Sequence, residues 1–335
     1  MKVVRLHRAG ELLLHEEPIP TPAPGEALIR VTAVGVCGSD LHWFSEAGIG
    51  DTGLSHPLVL GHEFAGVVEN GKLQGKRVAV DPAVVCGKCE FCLEGNPNFC
   101  ETMHFAGHGK DDGALREYLC WPEQFLYPIP DRISDAEGAM LEPLGVALHA
   151  VNLAHLRPGM SVGVFGCGPI GLLILQLARL SGATVRIATE RLPHRLEAAW
   201  QNGATHVIQA EAGQENGRIW EASGKRGVDV AFEVAGENAA VETALASARC
   251  GANVILVGIP SVDSTTFTAS IARRKGLTIK MCRRMKHTYP RSIQLVENNL
   301  VDVRSLVTHC FLLEEAQEAF ATAERRDGIK VMIEI

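Results

Sequence analysis

From about residue 146 the chain repeats strand, helix, strand, and one turn in that run limits what it can fold into: Gly166-Cys167-Gly168-Pro169-Ile170-Gly171. The turn lies between an apolar strand pattern, Ser161 to Phe165, and an apolar helical pattern, Pro169 to Leu180. In that setting Gly166 permits a tight turn, Gly168 lets the backbone approach a pyrophosphate, and Gly171 lets helix and strand pack closely. The helix N-terminus adds unpaired N–H groups and the positive end of its dipole. Glu190, nineteen residues beyond Gly171 at the end of the next strand pattern, can accept hydrogen bonds from both adenosine ribose hydroxyls, which favours NAD over NADP. Arg191 and Arg195 argue the other way, because a nearby arginine can hold a 2′-phosphate. Cys167 is read only as a small side chain that fits the turn.

The same alternation continues through Thr184 to Ala188, Leu196 to Gln201, His206 to Ile208, Val228 to Val234, Asn253 to Ile259 and Leu277 to Met281. Strands alternating with helices imply a parallel sheet covered on both faces, and six strands complete a doubly wound, Rossmann-type unit. We assign it residues 146–282. Residues 1–145 read differently, as short β-like runs broken by Pro and Gly: Ala27 to Val34, Phe64 to Val68, Arg77 to Val80. That pattern predicts an antiparallel, barrel-like domain with long functional loops. After residue 282 two helical patterns, Tyr289 to Asn298 and Leu313 to Ala323, lead to an apolar strand, Lys330 to Ile335. This tail, 283–335, is too short for a domain and is expected to return and complete the first one.

Composition removes several function classes. Thirty-nine acidic against 32 basic side chains give a net charge of −7, so nucleic acid would meet repulsion rather than a counterion-releasing patch. The longest apolar stretch near the middle, Leu172 to Leu177, falls far short of a bilayer span, and the N-terminal residues lack the features of a secretory leader. We expect a soluble, cytoplasmic protein without nucleic-acid or membrane partners. At 335 residues, 46% of them hydrophobic, two cores are affordable and little disorder is expected.

Four of the ten cysteines crowd into one loop: Cys86, Cys89, Cys92 and Cys100, spaced C-x2-C-x2-C-x7-C. Four thiolates can close a tetrahedral zinc site with no open position, so this site is expected to be structural, stapling a loop with little apolar core. A redox cluster is the alternative and would be coloured. A second constellation is dispersed: Cys37 in Gly35-Val36-Cys37-Gly38-Ser39-Asp40, then Gly61-His62-Glu63, then Glu142 in Leu141-Glu142-Pro143-Leu144. Each residue alone is ambiguous, since a single cysteine or histidine is more often structural than a ligand.

Taken together and in this order, these motifs resemble the zinc-containing medium-chain dehydrogenase/reductase superfamily, and within it the sorbitol (polyol) dehydrogenase branch. The resemblance covers essentially the whole chain. It implies a GroES-like antiparallel β-barrel catalytic domain joined to the Rossmann domain, with two Zn2+ per chain, one catalytic and one structural, and NAD. Cys37 and His62 would ligate the catalytic zinc, with Glu63 or Glu142 as the third protein ligand and a water in the remaining place. Asp40 would accept from the His62 ring and fix its tautomer. Ser39 and His42 would occupy the proton relay. Gly166, Gly168, Ile170, Gly171, Glu190, Arg195, Val257 and Gly258 would contact the cofactor.

The implied activity is zinc-dependent hydride transfer from a secondary alcohol, such as a polyol, to NAD. In alcohol dehydrogenases proper the position of Glu142 is a cysteine, and in threonine dehydrogenases the segment carries aspartate, so the glutamate points to polyols. Trp43, Glu142 and Arg284 would face the substrate. The tyrosine that usually follows this arginine is here Met285, which loosens the link to sorbitol and leaves xylitol, L-idonate-like hydroxy acids and simple diols open. Arg283, Arg284 and Lys286 would favour an anionic or richly hydroxylated substrate. The branch commonly forms homodimers or homotetramers, and 253–267 is the segment expected to mediate this. Competing readings are another secondary-alcohol or threonine-type dehydrogenase, a zinc-free quinone reductase-like member, or a non-catalytic dinucleotide-binding protein.

Overall fold

The computed structural model describes residues 1–211 and 213–335. The chain divides into two compact units, Met1–Pro143 with Lys286–Ile335, and Leu144–Met285.

In the first unit the strand Glu26–Gly35 is the axis of a seven-stranded sheet. On one side follow Glu63–Val68, Arg77–Val80 and Leu126–Pro128; on the other lie Lys330–Glu334 and then Val307–Leu312, while Tyr118–Pro122 also pairs with the axis. Every pairing is antiparallel except that between Val307–Leu312 and Lys330–Glu334. Burial along Glu26–Gly35 alternates as far as Ala33, the two-residue period of a strand with one solvated face, and then stays buried through Gly35. The strand therefore ends inside the unit. Ile29, Val31, Phe64, Val80, Val331 and Ile333 pack into one core there, each fully buried aliphatic side chain worth roughly 2 kcal/mol before entropy is charged against it.

Register brings distant residues to that buried end. Gly35 faces Glu63 on one neighbouring strand and Met332 on the other. A side chain on Gly35 would meet Glu63 Oε2 at 2.4 Å and Lys330 Cε at 2.9 Å, so the glycine leaves room for a Glu63–Lys330 pair. The helix Gly38–Glu46 follows directly, with Cys37 as its N-cap.

The second unit is a six-stranded parallel sheet in the order His206–Gln209, Val185–Glu190, Ser161–Phe165, Val228–Glu233, Ala248–Leu256, Thr278–Met281. Ser161–Phe165 and Val228–Glu233 are buried throughout, as expected of inner parallel strands covered on both faces. This is the doubly wound architecture the alternating pattern predicts. One boundary differs: the fifth strand starts at Ala248 rather than near Asn253 and ends at Leu256. Its first residues, Arg249-Cys250-Gly251, are half or fully exposed and carry no apolar pattern to mark them. Beyond Leu256 the chain turns so that Val257 and Gly258 donate to the Glu233 carbonyl, at 2.8 and 3.2 Å. No helix among the described residues is long and apolar enough to cross a membrane.

Candidate metal centre and cofactor site

Cys37, His62 and Glu63 converge in the first unit, their ligand atoms all within 4.8 Å of one another. The backbone accounts for this. Cys37 caps the helix that leaves the Glu26–Gly35 strand, and Glu63 opens the neighbouring strand in register with Gly35. Asp40, fully buried, secures the arrangement: Oδ2 accepts the Cys37 N–H at 2.9 Å, while Oδ1 lies 3.1 Å from His62 Nδ1 and accepts the Gly61 N–H at 3.4 Å. With Nδ1 bound to a carboxylate, His62 turns Nε2 toward the cluster, and Ser39 Oγ lies 3.4 Å from both that nitrogen and Cys37 Sγ.

Burial and charge compete around this cluster. Burial opposes ionisation of Asp40, yet the charge and hydrogen bond of His62 and the Cys37 N–H hold it below the usual carboxylate range. Burial also opposes a charged His62, but Asp40 and Cys37 outweigh it and raise the imidazole well above its ordinary value. The Lys330 ammonium pairs with Glu63 Oε2, both side chains only 2% exposed, and Glu63 raises the Lys330 pKa against burial. A thiol and two carboxylates thus face the His62 ring and one buried lysine. A divalent ion fits this mixed sulfur, nitrogen and oxygen set, which suits zinc by ligand softness.

Glu142, the alternative to Glu63 as third ligand, is buried in the first turn of the helix Leu141–Ala154 and is not one of the three donors that converge. His42 lies on the helix Gly38–Glu46 with Nδ1 3.5 Å from Glu46 Oε1. Trp43, on the same helix, is 1% exposed and packs edge-on to the His108 ring at 5.5 Å. Arg284 follows the last strand of the second unit with a positive φ of 53°. Lys286 is tied to Asn96 of the four-cysteine loop, a structural engagement that the charge-cluster reading did not anticipate.

Three residues beside the cluster escaped sequence reasoning. Lys330 carries no signal in the sequence beyond opening an apolar strand. Phe105 packs on His62 with ring centroids 5.2 Å apart, and His108 lies 6.3 Å from Phe105. Burial and the neighbouring His62 lower the His108 pKa, against the pull of Asp111 and Asp51. The available signal was His104-Phe105-Ala106-Gly107-His108, two histidines in a short loop following the cysteine motif.

Cys86, Cys89, Cys92 and Cys100 form the second group, again with ligand atoms within 4.8 Å. N–H groups of Lys88 and Cys89 point at Cys86 Sγ, at 3.5 and 3.3 Å, and that of Cys86 at Cys100 Sγ, at 3.3 Å. These backbone donors pull the Cys86 thiol down to about 6, while burial and the adjacent Cys89 push Cys92 up to about 12. Four thiols this close cannot all ionise without a shared cation, and the set fits a closed zinc site.

In the second unit the glycine turn forms the start of the helix Pro169–Leu180, with Gly168 as N-cap and Ile170 in the first turn. A Cβ on Gly171 would lie 2.1 Å from the Gly166 carbonyl oxygen, whereas the side of Gly168 is open, with only Arg195 as near as 3.8 Å. That opening beside a helix N-terminus fits a pyrophosphate. Glu190 ends its strand with Oε2 accepting the Cys167 N–H at 2.9 Å and Oε1 the Arg191 N–H at 2.7 Å. Arg191 is paired with Glu237, which engages one of the two arginines that could hold a 2′-phosphate.

Residues 23–131 match the alcohol dehydrogenase GroES-like domain, and residues 169–298 match the zinc-binding dehydrogenase family. Sorbitol dehydrogenase of Bacillus subtilis (strain 168) is 37% identical over 342 residues, covering 99% of this chain and 97% of that protein. The crystal structure of L-idonate 5-dehydrogenase from Escherichia coli superposes with a TM-score of 0.92 at 26% identity, covering 100% of this chain and 98% of the other. An alcohol dehydrogenase from Escherichia coli CFT073, complexed with NADH, gives a TM-score of 0.90 at 29% identity, with coverage of 100% and 99%. With both domains matched in order around two zinc-type donor sets, the chain belongs to the zinc-containing medium-chain dehydrogenase/reductase superfamily, in its sorbitol dehydrogenase-like branch.

Proposed function

We propose that this protein oxidises a secondary alcohol of the polyol class, passing a hydride to NAD, with Cys37, His62 and Glu63 as the protein ligands of a catalytic zinc. The observation that carries the reading is the convergence of these three donors beside Ser39 Oγ. Bound zinc lowers the pKa of an alcohol hydroxyl, and NAD accepts the hydride. The chain's own residues do the rest. Asp40 keeps His62 in one tautomer and Lys330 restrains Glu63, so the donors are held without rearrangement. Glu142, outside that ligand set, belongs to the substrate surroundings.

Oxidation releases the hydroxyl proton as the carbon gives up its hydride, and that proton must leave. Ser39 receives it first and His42 carries it on, an imidazole being suited to transfer near neutral pH. Glu46 holds His42 through Nδ1, and among the described residues the other ring nitrogen has no protein partner. Gly166, Gly168, Ile170, Gly171 and Arg195 hold the pyrophosphate end of NAD, Glu190 its adenosine ribose, and Val257 and Gly258 line the edge beyond the fifth strand. Cys86, Cys89, Cys92 and Cys100 hold a structural zinc. Trp43 and Arg284 belong to the substrate surroundings.

We also propose a homodimer or homotetramer, and a place in the cytoplasm, the latter supported by ten cysteines free of disulfides.

The test is NADH production with a panel of polyols, before and after treatment with a chelator that strips the Cys37 site. Activity on at least one polyol, lost with the metal and restored by zinc, is expected, and Ser39→Ala should slow hydride transfer by about 10²-fold or more. Chelator-resistant turnover, or an unchanged Ser39→Ala rate, removes the metal or the relay from the reaction.

A further inference from the structure

We infer that His108 selects the substrate by hydrogen-bonding a hydroxyl other than the one being oxidised, so that the site prefers polyhydroxylated chains to simple secondary alcohols. The inference rests on the reading of Cys37, His62 and Glu63 as the alcohol-binding centre.

Three observations lead to it. First, His108 is joined to that centre through Phe105, whose ring packs on His62 at 5.2 Å and lies 6.3 Å from the His108 ring. Second, the ring is held in place. Trp43, itself in the core, meets it edge-on at 82°. The surrounding turn is closed by Gly107 N–H to the Asp111 carbonyl at 2.9 Å and by Asp111 N–H to the His108 carbonyl at 3.1 Å. Third, the ring is half-buried, yet neither of its nitrogens hydrogen-bonds another described residue. A neutral imidazole offers one donor and one acceptor, and neither His108 nitrogen is buried without a partner, so both reach solvent and are open to a ligand. An alcohol hydroxyl, which both donates and accepts, can satisfy either.

Trp43 then contributes by bracing His108 rather than by presenting surface of its own, in keeping with its burial.

The experiment uses the zinc-loaded protein with NAD and two probes, xylitol and 2-pentanol. His108→Phe keeps a ring against Trp43 and Phe105 but removes both polar atoms. The ratio of kcat/KM for xylitol to that for 2-pentanol should fall about 10-fold or more, chiefly through KM, as expected when a site loses its partner for a substrate hydroxyl. His108→Gln, which restores a donor and an acceptor, should recover part of it. An unchanged ratio overturns the inference. A binding readout separates this from failure of the alcohol-oxidation reading: in wild-type protein carrying 15N-labelled histidine, xylitol without NAD should shift the ring signals that disappear in His108→Phe. A shift in a protein that oxidises neither probe supports the His108 contact while the reaction assignment falls. No shift in a protein that oxidises both overturns the contact alone.

Discussion

Four donor groups close on one carboxylate at the start of the Val228–Glu233 strand. Asp229 Oδ2 accepts the Ser161 N–H and hydroxyl, both at 2.9 Å; Oδ1 accepts from Arg226 at 2.8 Å and from Arg249 at 2.6 Å. It thereby ties together the first residues of the two central strands of the parallel sheet. Burial opposes its charge, but Arg226, Ser161 and Arg249 prevail and hold its pKa far below the usual carboxylate value. A depressed folded-state pKa contributes stability that is complete above the unfolded value of about 3.9 and is lost as pH falls through the folded one. Asp229→Asn should therefore cost about 2 kcal/mol near neutral pH, the scale of charge-assisted hydrogen bonds. Urea midpoints of the wild type and the variant should converge as the pH is lowered below 4 or so. A constant gap across that range would assign the loss to packing and not to charge.

At the scale of elements, the four-cysteine loop buries little apolar surface of its own. Its helix Glu90–Leu93 has no buried residue, and Leu93 and Phe99 are exposed. Removing one ligand should therefore unfold this loop and spare the parallel sheet. Cys92→Ser is expected to lose one zinc per chain by atomic emission and to become cleavable by protease within 86–100, while NADH still binds the second unit. Retention of both metals would show that three thiolates suffice. The cysteine spacing made this loop legible in advance because the ligands are local. The helix Gly38–Glu46 was not, although it carries Ser39, Asp40 and His42: nine residues are too few for a helical period to stand out, and its stability comes from Asp40 and from burying Trp43 and Phe44. Lys330 was equally silent. A lysine reads as surface until the register of Lys330–Glu334 against Glu26–Gly35 sets it beside Glu63.

Over the whole molecule, the strands of the parallel sheet were legible in the chain, the bounds of the fifth excepted, because inner strands must be continuously apolar; the helices Asn216–Ala222, Asn238–Ser247 and Ala269–Lys275 were not marked. The first unit was legible only as a class, since its axis pairs with partners from residue 63 to residue 334 and no local pattern records such pairings. The surface of the second unit raises a last question of scale. Thr278–Met281 is the outer strand of the six-stranded sheet, with Met281 65% and Val262 71% exposed and Ile259 and Phe267 also open to solvent. An unprotected edge bearing apolar side chains invites pairing, and a second copy related by a two-fold axis would cover it with the same residues. Light scattering should give the mass of a dimer or a tetramer. Met281→Lys combined with Val262→Asp should lower that mass while NADH binding persists. The opposite outer strand, His206–Gln209, has its own exposed Trp200 nearby, and Trp200→Gln should leave the mass as it is. If the wild type runs as a monomer, or if Trp200→Gln and not the double variant dissociates it, the apolar surface around Thr278–Met281 has another cause and the assembly lies elsewhere.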